Sequence, residues 1–168
     1  MLSSKNLKLI IGPALILLFA CGYQSLVDVN QINYPIFKSG KFEIFSPEND
    51  IDFHIRERLI ADLGFPNNPK YKIRLKNSLE KRKSIVTNKN DIARYSLILN
   101  TTFNLIEISN NEIVFTEIFE SETSFSAASN ITGFKIEVAK VNAEKRLAYD
   151  IADKIRLELL MLRKELLI

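Results

Sequence analysis

Two runs between Arg94 and Phe125 constrain the fold of this chain more than any other feature. In the first, Tyr95, Leu97, Leu99, Thr101, Phe103 and Leu105 fall on one side, and Ser96, Ile98, Asn100, Thr102 and Asn104 on the other. Alternation with a period of two is the mark of a strand packed on one face only. Ser109-Asn110-Asn111 interrupts the run with turn formers. The second run, Glu112 to Phe125, sets Ile113, Phe115, Phe119 and Phe125 on one face. Two long strands joined by so short a turn predict an antiparallel hairpin.

The rest of the body reads around that hairpin. Lys41 to Phe45 is a short strand. Ser46-Pro47 is a helix-start signal, and Asp50 is a second possible cap. Ile51, Ile55, Leu59, Ile60 and Leu63 then recur at helical spacing until Gly64 and Pro66 stop the helix. Arg56, Glu57, Arg58 and Asp62 fall on its outer side. Tyr71 to Lys76 alternates as a strand that can run on through Leu79 towards Ile85-Val86. Thr87 to Asp91 is a turn, and Ser126 to Gly133 is a loop of small residues.

From about Glu137 to the end the pattern is helical, with Val138, Val141, Ala148, Ile151, Ala152, Ile155, Leu159 and Leu162 as its apolar stripe. Such a helix is about 42 Å long. Its tail, with Leu157, Leu160, Met161, Leu166 and Leu167, is apolar beyond one stripe. The order strand, helix, three strands, helix predicts an α+β two-layer sandwich. About four mostly antiparallel strands carry two helices on one face. The other face keeps Lys72, Arg74, Ile98, Asn100, Thr102, Asn104, Val114, Thr116 and Ile118. That mixture suits solvent, and it also suits docking inside something else.

The first residues say where the chain is sent. Lys5 and Lys8 form a positive n-region, and Leu9 to Phe19 is apolar apart from Gly12-Pro13. A spanning helix needs roughly 20 apolar residues, so this stretch is a secretion signal. It ends in Leu18-Phe19-Ala20-Cys21, which resembles the bacterial lipobox, although Phe19 is larger than the usual occupant of its position. Cys21 is the one Cys of the chain, so it can form no intrachain disulfide. In lipobox signals the Cys thiol takes a diacylglycerol and the freed amine a further chain. Each buried methylene contributes about 0.8 kcal/mol, so several chains anchor where one is marginal. Gly22, not Asp, follows Cys21, which points to the outer membrane. The expected organisation is a signal peptide over 1–20, a lipidated tether over 21–40 and one α+β domain over 41–168.

Little in the composition suggests chemistry. The net charge of +3 includes Lys5 and Lys8, so the remainder is close to neutral and no general affinity for nucleic acid is indicated. His54 is the one His and has no Cys beside it, a poor start for a metal site. Glu117, Glu120 and Glu122 share a strand with Glu117 on the opposite face, a weak arrangement for paired carboxylates. There is no phosphate-binding Gly-rich loop, nucleophile elbow or metal-ligand spacing. The reading is a non-enzyme without cofactor or metal.

One cluster is more suggestive. In an antiparallel meander the loops Lys81 to Arg94 and Ser126 to Glu137 are neighbours. The first carries Lys81, Arg82, Lys83, Lys89 and Arg94, and the second Lys135. Cations gathered at one tip can clamp phosphates. Scattered solvating Lys and Arg explain the same residues.

The pieces together resemble the LptE lipopolysaccharide-assembly lipoproteins, in their alphaproteobacterial form. The resemblance runs from the lipobox into Cys21-Gly22-Tyr23 and through the helix Ile51 to Leu63. It continues with the hairpin opening Ala93-Arg94-Tyr95-Ser96-Leu97 and the closing helix Asn142-Ala143-Glu144-Lys145-Arg146-Leu147-Ala148-Tyr149-Asp150-Ile151-Ala152-Asp153-Lys154-Ile155-Arg156. It implies a lipid-anchored plug, lipidated at Cys21, inside the LptD-type outer-membrane β-barrel that delivers lipopolysaccharide to the outer leaflet. It also implies lipopolysaccharide as a ligand, with Lys89, Arg94 and Lys135 as the candidate contacts given by the topology. The alternative is an accessory lipoprotein of another envelope lipid-transport system.

Overall fold

The computed structural model describes residues 40–86, 92–127 and 132–166. The signal, Cys21, the tether up to residue 39, Lys89 and the final residues 167–168 lie outside the described residues. The elements are β1 (Phe42–Ile44), α1 (Asp50–Leu63), β2 (Tyr71–Val86), β3 (Ile92–Glu107), β4 (Glu112–Ser126) and α2 (Gly133–Leu166). The sheet order is β1-β2-β3-β4. β1 lies parallel to β2, and the other pairs are antiparallel. A parallel pair needs a crossover, and α1 supplies it. This is the α+β arrangement expected, with the continuation of β2 to Val86 included.

Both helices share one core with the sheet. Ile55, Leu59 and Leu63 of α1, Leu97, Leu99, Phe103 and Leu105 of β3, and Ala143, Leu147, Ile151, Ile155 and Leu159 of α2 belong to one buried cluster. Each large side chain withdrawn from water there contributes roughly 1.5–3 kcal/mol. Gly40 opens the domain with φ +65°, and a Cβ there would lie 2.8 Å from the backbone of Asn67 and Phe65. Only glycine allows that approach without strain.

Four sequence expectations shift. The cap of α1 is Asn49, not Ser46 or Asp50. Its Oδ1 accepts from the Asp52 amide at 2.9 Å while Asp52 Oδ2 accepts from the Glu48 amide at 3.2 Å, a near relative of the reciprocal capping box. Arg58 and Asp62 do not simply face water. Arg58 donates to Asp153 of α2 at 3.2 Å, and Asp62 lies 3.8 Å from Arg156. The last helix begins at Gly133, earlier than Glu137, and its 34 residues span about 51 Å. Val138 and Val141 are exposed, because on this half of α2 Ile136, Ala139 and Ala143 face the core instead.

The fourth shift lies at the turn-proximal end of the hairpin. The β3–β4 register slips between Leu105 and Ile106, so Leu105 pairs with Phe115 but Ile106 with Ile113. A bulge residue reverses the alternation beyond it. Ile113 therefore leaves the core face and is 57% exposed, while Val114 packs against the core. Each is on the side opposite to the one its position in the alternating run predicts.

Candidate functional site

The face of the sheet away from the helices is built in rungs. Arg74, Asn104 and Thr116 stand across β2, β3 and β4, followed by Lys76, Thr102 and Ile118, then Ser78, Asn100 and Glu120, then Glu80, Ile98 and Glu122. Cations occupy the β2 row near β1, amides and hydroxyls the middle of β3, and Ile118 with two carboxylates the β4 row. Thr116 donates its hydroxyl to Asn104 Oδ1 at 2.7 Å. Lys72 is held by Glu43 of β1 at 2.7 Å. Arg74 and Lys76 are exposed and have no ion pair among the described residues.

At the far end of this face Arg82 donates to both Glu80 oxygens, at 2.6 and 2.8 Å. That hydrogen bond holds the Glu80 carboxyl below the ordinary range and raises the guanidinium, which Glu122 and Glu120 favour further. Ile98, between Glu80 and Glu122 on the same rung, is 6% exposed. The surface offers donors and acceptors at strand spacing, with Ile118 and, beyond the bulge, Ile113 as exposed apolar residues. Such a face can line a wet lumen.

Of the three cations of the expected basic tip, Arg94 and Lys135 lie among the described residues. Arg94 pairs with Ile85 on β2 and with Ser126 on β4, so three strand ends meet there. Lys81 places its ammonium 3.9 Å from the centre of the Tyr95 ring and 5.6 Å from that of Phe125. The two rings stack at 5.6 Å. A cation over aromatic faces keeps its charge while its stem covers apolar surface. Arg94 is exposed, and Lys135 is exposed in the first turn of α2. No hydrogen bond or ion pair joins those two among the described residues, and Lys89 lies outside them. Lys81 lies on the same face as Tyr95 and Phe125 but diagonal to them, since Leu97 is its partner in register and Lys83 stands opposite Tyr95.

The other residues singled out in the sequence are structural in setting. His54 Nδ1 lies 3.4 Å from Glu57 Oε2, and its ring stands edge-on to Phe53 and Tyr149. Glu117 pairs with Phe103 on the helix side of the sheet, whereas Glu120 and Glu122 are on the open face. Among the described residues no group of three or more His, Cys, Asp or Glu is placed to hold a metal. No described helix is long and apolar enough to cross a membrane.

A buried polar relay went unread in the sequence. Thr101 Oγ1 donates to Asn77 Oδ1 at 2.6 Å, and Asn77 Nδ2 donates to Asp52 Oδ1 at 2.6 Å. It ties the start of α1 to β2 and β3. The period of two puts Asn77 on the same face as Leu75 and Leu79, but nothing local to the sequence names Asp52 and Thr101 as its partners.

No family model matches the sequence, and no curated protein matches it. Solved structures do resemble it. A candidate lipoprotein from Caulobacter crescentus CB15 superposes with a TM-score of 0.56 at 19% identity, covering 73% of this chain and 89% of that one. Rare lipoprotein B from Shewanella oneidensis superposes with a TM-score of 0.57 at 17% identity, covering 75% of this chain and 96% of that one. At such identities the likeness is one of fold: this chain is built on the same α+β framework as these two proteins.

Proposed function

We propose that the protein is a non-enzymatic lipoprotein of the outer membrane, acylated at Cys21, that plugs and helps assemble an LptD-type β-barrel. The pair inserts lipopolysaccharide into the outer leaflet. The observation that carries this reading is the fold, which is shared with the rare lipoprotein B of Shewanella oneidensis and agrees with the resemblance to the LptE lipoproteins read in the sequence. Two features of the chain agree with it. The lipobox leads into the domain through Cys21. The open sheet face, with Asn100, Thr102 and Asn104 along its middle, is polar enough for a water-filled lumen and regular enough to lie against a wall. The body faces the periplasm or sits within the lumen.

Lipopolysaccharide is held, on this reading, by Lys89, Arg94 and Lys135. Lipid A phosphates are anions, and clustered cations with several donors suit them. Replacing all three with Ala weakens lipopolysaccharide binding in a direct binding assay; unchanged binding removes these residues from the site.

The reading as a whole is tested by purifying the acylated protein from detergent-solubilised outer membrane and identifying what accompanies it by mass spectrometry. A large lipopolysaccharide-export barrel in roughly equal amount supports the plug. Inner-membrane transporter subunits in its place overturn it.

A further inference from the structure

The two outer edges of the sheet are treated differently. On β4, α2 reaches over and covers the strand: Lys154 donates to the Glu120 carbonyl at 2.6 Å and Arg146 to the Ser124 carbonyl at 3.3 Å. On the other side β1 pairs only with Tyr71 to Ile73, and β2 then runs to Val86 with no strand along that edge among the described residues. The Tyr71 amide donates outward to the Lys41 carbonyl at 3.1 Å. The backbone groups of Leu75, Asn77, Leu79 and Lys81 follow it in alternation and face the same edge. Among the described residues no backbone hydrogen bond meets them there. An uncovered edge of this length is a template for another strand.

The side chains along it specify what kind. Directly past the end of β1 lies a groove of ≈ 580 Å³, bounded by Ile44, Phe45, Glu48, Asn49 and Asp52 on one side and by Lys72, Arg74 and Lys76 of β2 on the other; Asp52 is already engaged by Asn77 and the Glu48 amide. β1 shows how this basic row receives a neighbour: Glu43 stands opposite Lys72 in register and pairs with it at 2.7 Å. Arg74 and Lys76 repeat the row without a carboxylate opposite them. On the helix side of the same edge, a second groove of ≈ 330 Å³ is lined by Ile51, Leu79 and Leu99 together with Asn49, Asp50, Asn77 and Glu144. A strand laid here would turn alternate side chains to the two faces, one carrying the unpaired cations Arg74 and Lys76 and the other Leu75, Asn77 and Leu79.

We propose that the edge of β2 from Arg74 to Lys81 docks an extended segment of a partner protein that alternates acidic and apolar residues. The segment adds as a further strand in the line of β1 and sets its carboxylates opposite Arg74 and Lys76. The proposal does not depend on the lipopolysaccharide reading, since it rests on the edge and its charge alone. The competing role for Arg74 and Lys76 is to repel strands from an open edge, and it makes the opposite prediction.

The test uses the full chain in detergent micelles at low salt and a fluorescein-labelled peptide of alternating Glu and Val, about eight residues long to match the edge. A peptide alternating Lys and Val is the control. Fluorescence anisotropy should show binding of the Glu peptide only. Arg74→Glu combined with Lys76→Glu, two exposed changes that leave the core untouched, should weaken it about tenfold. Leu79→Pro removes an edge amide and should also weaken it, with the fold checked by circular dichroism. Hydrogen exchange should slow at Leu75, Asn77 and Leu79 only when the Glu peptide is present. The proposal is overturned by absence of binding, by equal binding of the Lys peptide, or by full affinity in the charge-reversed protein. It is equally overturned if those amides are already protected without peptide, since the edge is then filled by the chain itself.

Discussion

Asn77 and Asp52 meet at 2.6 Å, a side-chain amide on β2 donating to a carboxylate in the first turn of α1. Thr101, fully buried on β3, completes the relay through the Asn77 oxygen. Asp52 also benefits from its place at a helix N-terminus, where four backbone amides lack partners and negative charge is favoured. Removing the middle of the relay leaves a buried carboxylate oxygen and a buried hydroxyl unmatched. Asn77→Leu should therefore cost about 2–3 kcal/mol, and Thr101→Val, which orphans one neutral acceptor, about 1 kcal/mol. Urea denaturation distinguishes them. Equal midpoints for wild type and Asn77→Leu would show that the relay contributes nothing.

The bulge at the hairpin end makes a sharp pair. Ile113→Thr and Val114→Thr are neighbouring changes of similar chemistry. With Ile113 exposed and Val114 against the core, the first should be within about 0.5 kcal/mol of wild type and the second should cost about 1–2 kcal/mol. A strictly alternating strand gives the reverse order, so the ranking of thermal midpoints decides the register.

That pair also shows where the sequence was legible and where it was not. β3 was readable because it packs on one face along most of its length, so Leu97, Leu99 and Phe103 follow a plain period of two. The slip after Leu105 inserts one residue, and no composition signal accompanies it. The start of α2 was misplaced because Gly133 and Phe134 make no apolar stripe; Phe134 is exposed. Charge on a helix normally faces water, which is why the sequence places Arg58 and Asp62 outward, yet Arg58 meets Asp153 of a helix 95 residues on in sequence, and Asp62 meets Arg156 of the same helix. Contacts of that range leave no local trace. The topology did foretell that Arg94 would share an end with β2 and β4, but it could not say how close Lys135 comes.

Asp150 gives a pH dependence. Burial pushes its carboxyl up, but hydrogen bonds from Lys154, 2.7 Å away, and from Ser121 outweigh it, and the pKa is lowered. A carboxyl held below its unfolded value stabilises the fold above the unfolded pKa of about 3.9, and loses that contribution as pH falls through the folded value. The side chain is half exposed, so screening limits the effect to about 0.5 kcal/mol. Asp150→Asn should therefore lower stability at pH 7 and match wild type near pH 2. A deficit unchanged between those pH values would assign it to lost packing instead.

The two halves of α2 respond differently to the same kind of change. Ala148 and Ala152 are fully buried in the cluster joining both helices to the sheet. Val141, about two turns before Ala148, is 47% exposed although its spacing places it on the same stripe. The core-facing side of the helix rotates along its length, from Ile136, Ala139 and Ala143 at the start to Ala148, Ala152 and Leu159 further on, where α1 also packs. Val141→Leu should be close to neutral. Ala148→Leu should cost about 1–3 kcal/mol, since added methylenes force neighbours off their rotamers in a dense core. Differential scanning calorimetry on the two variants reads this directly, and a neutral Ala148→Leu would mean that α1 and α2 are not packed at the spacing that the two alanines require.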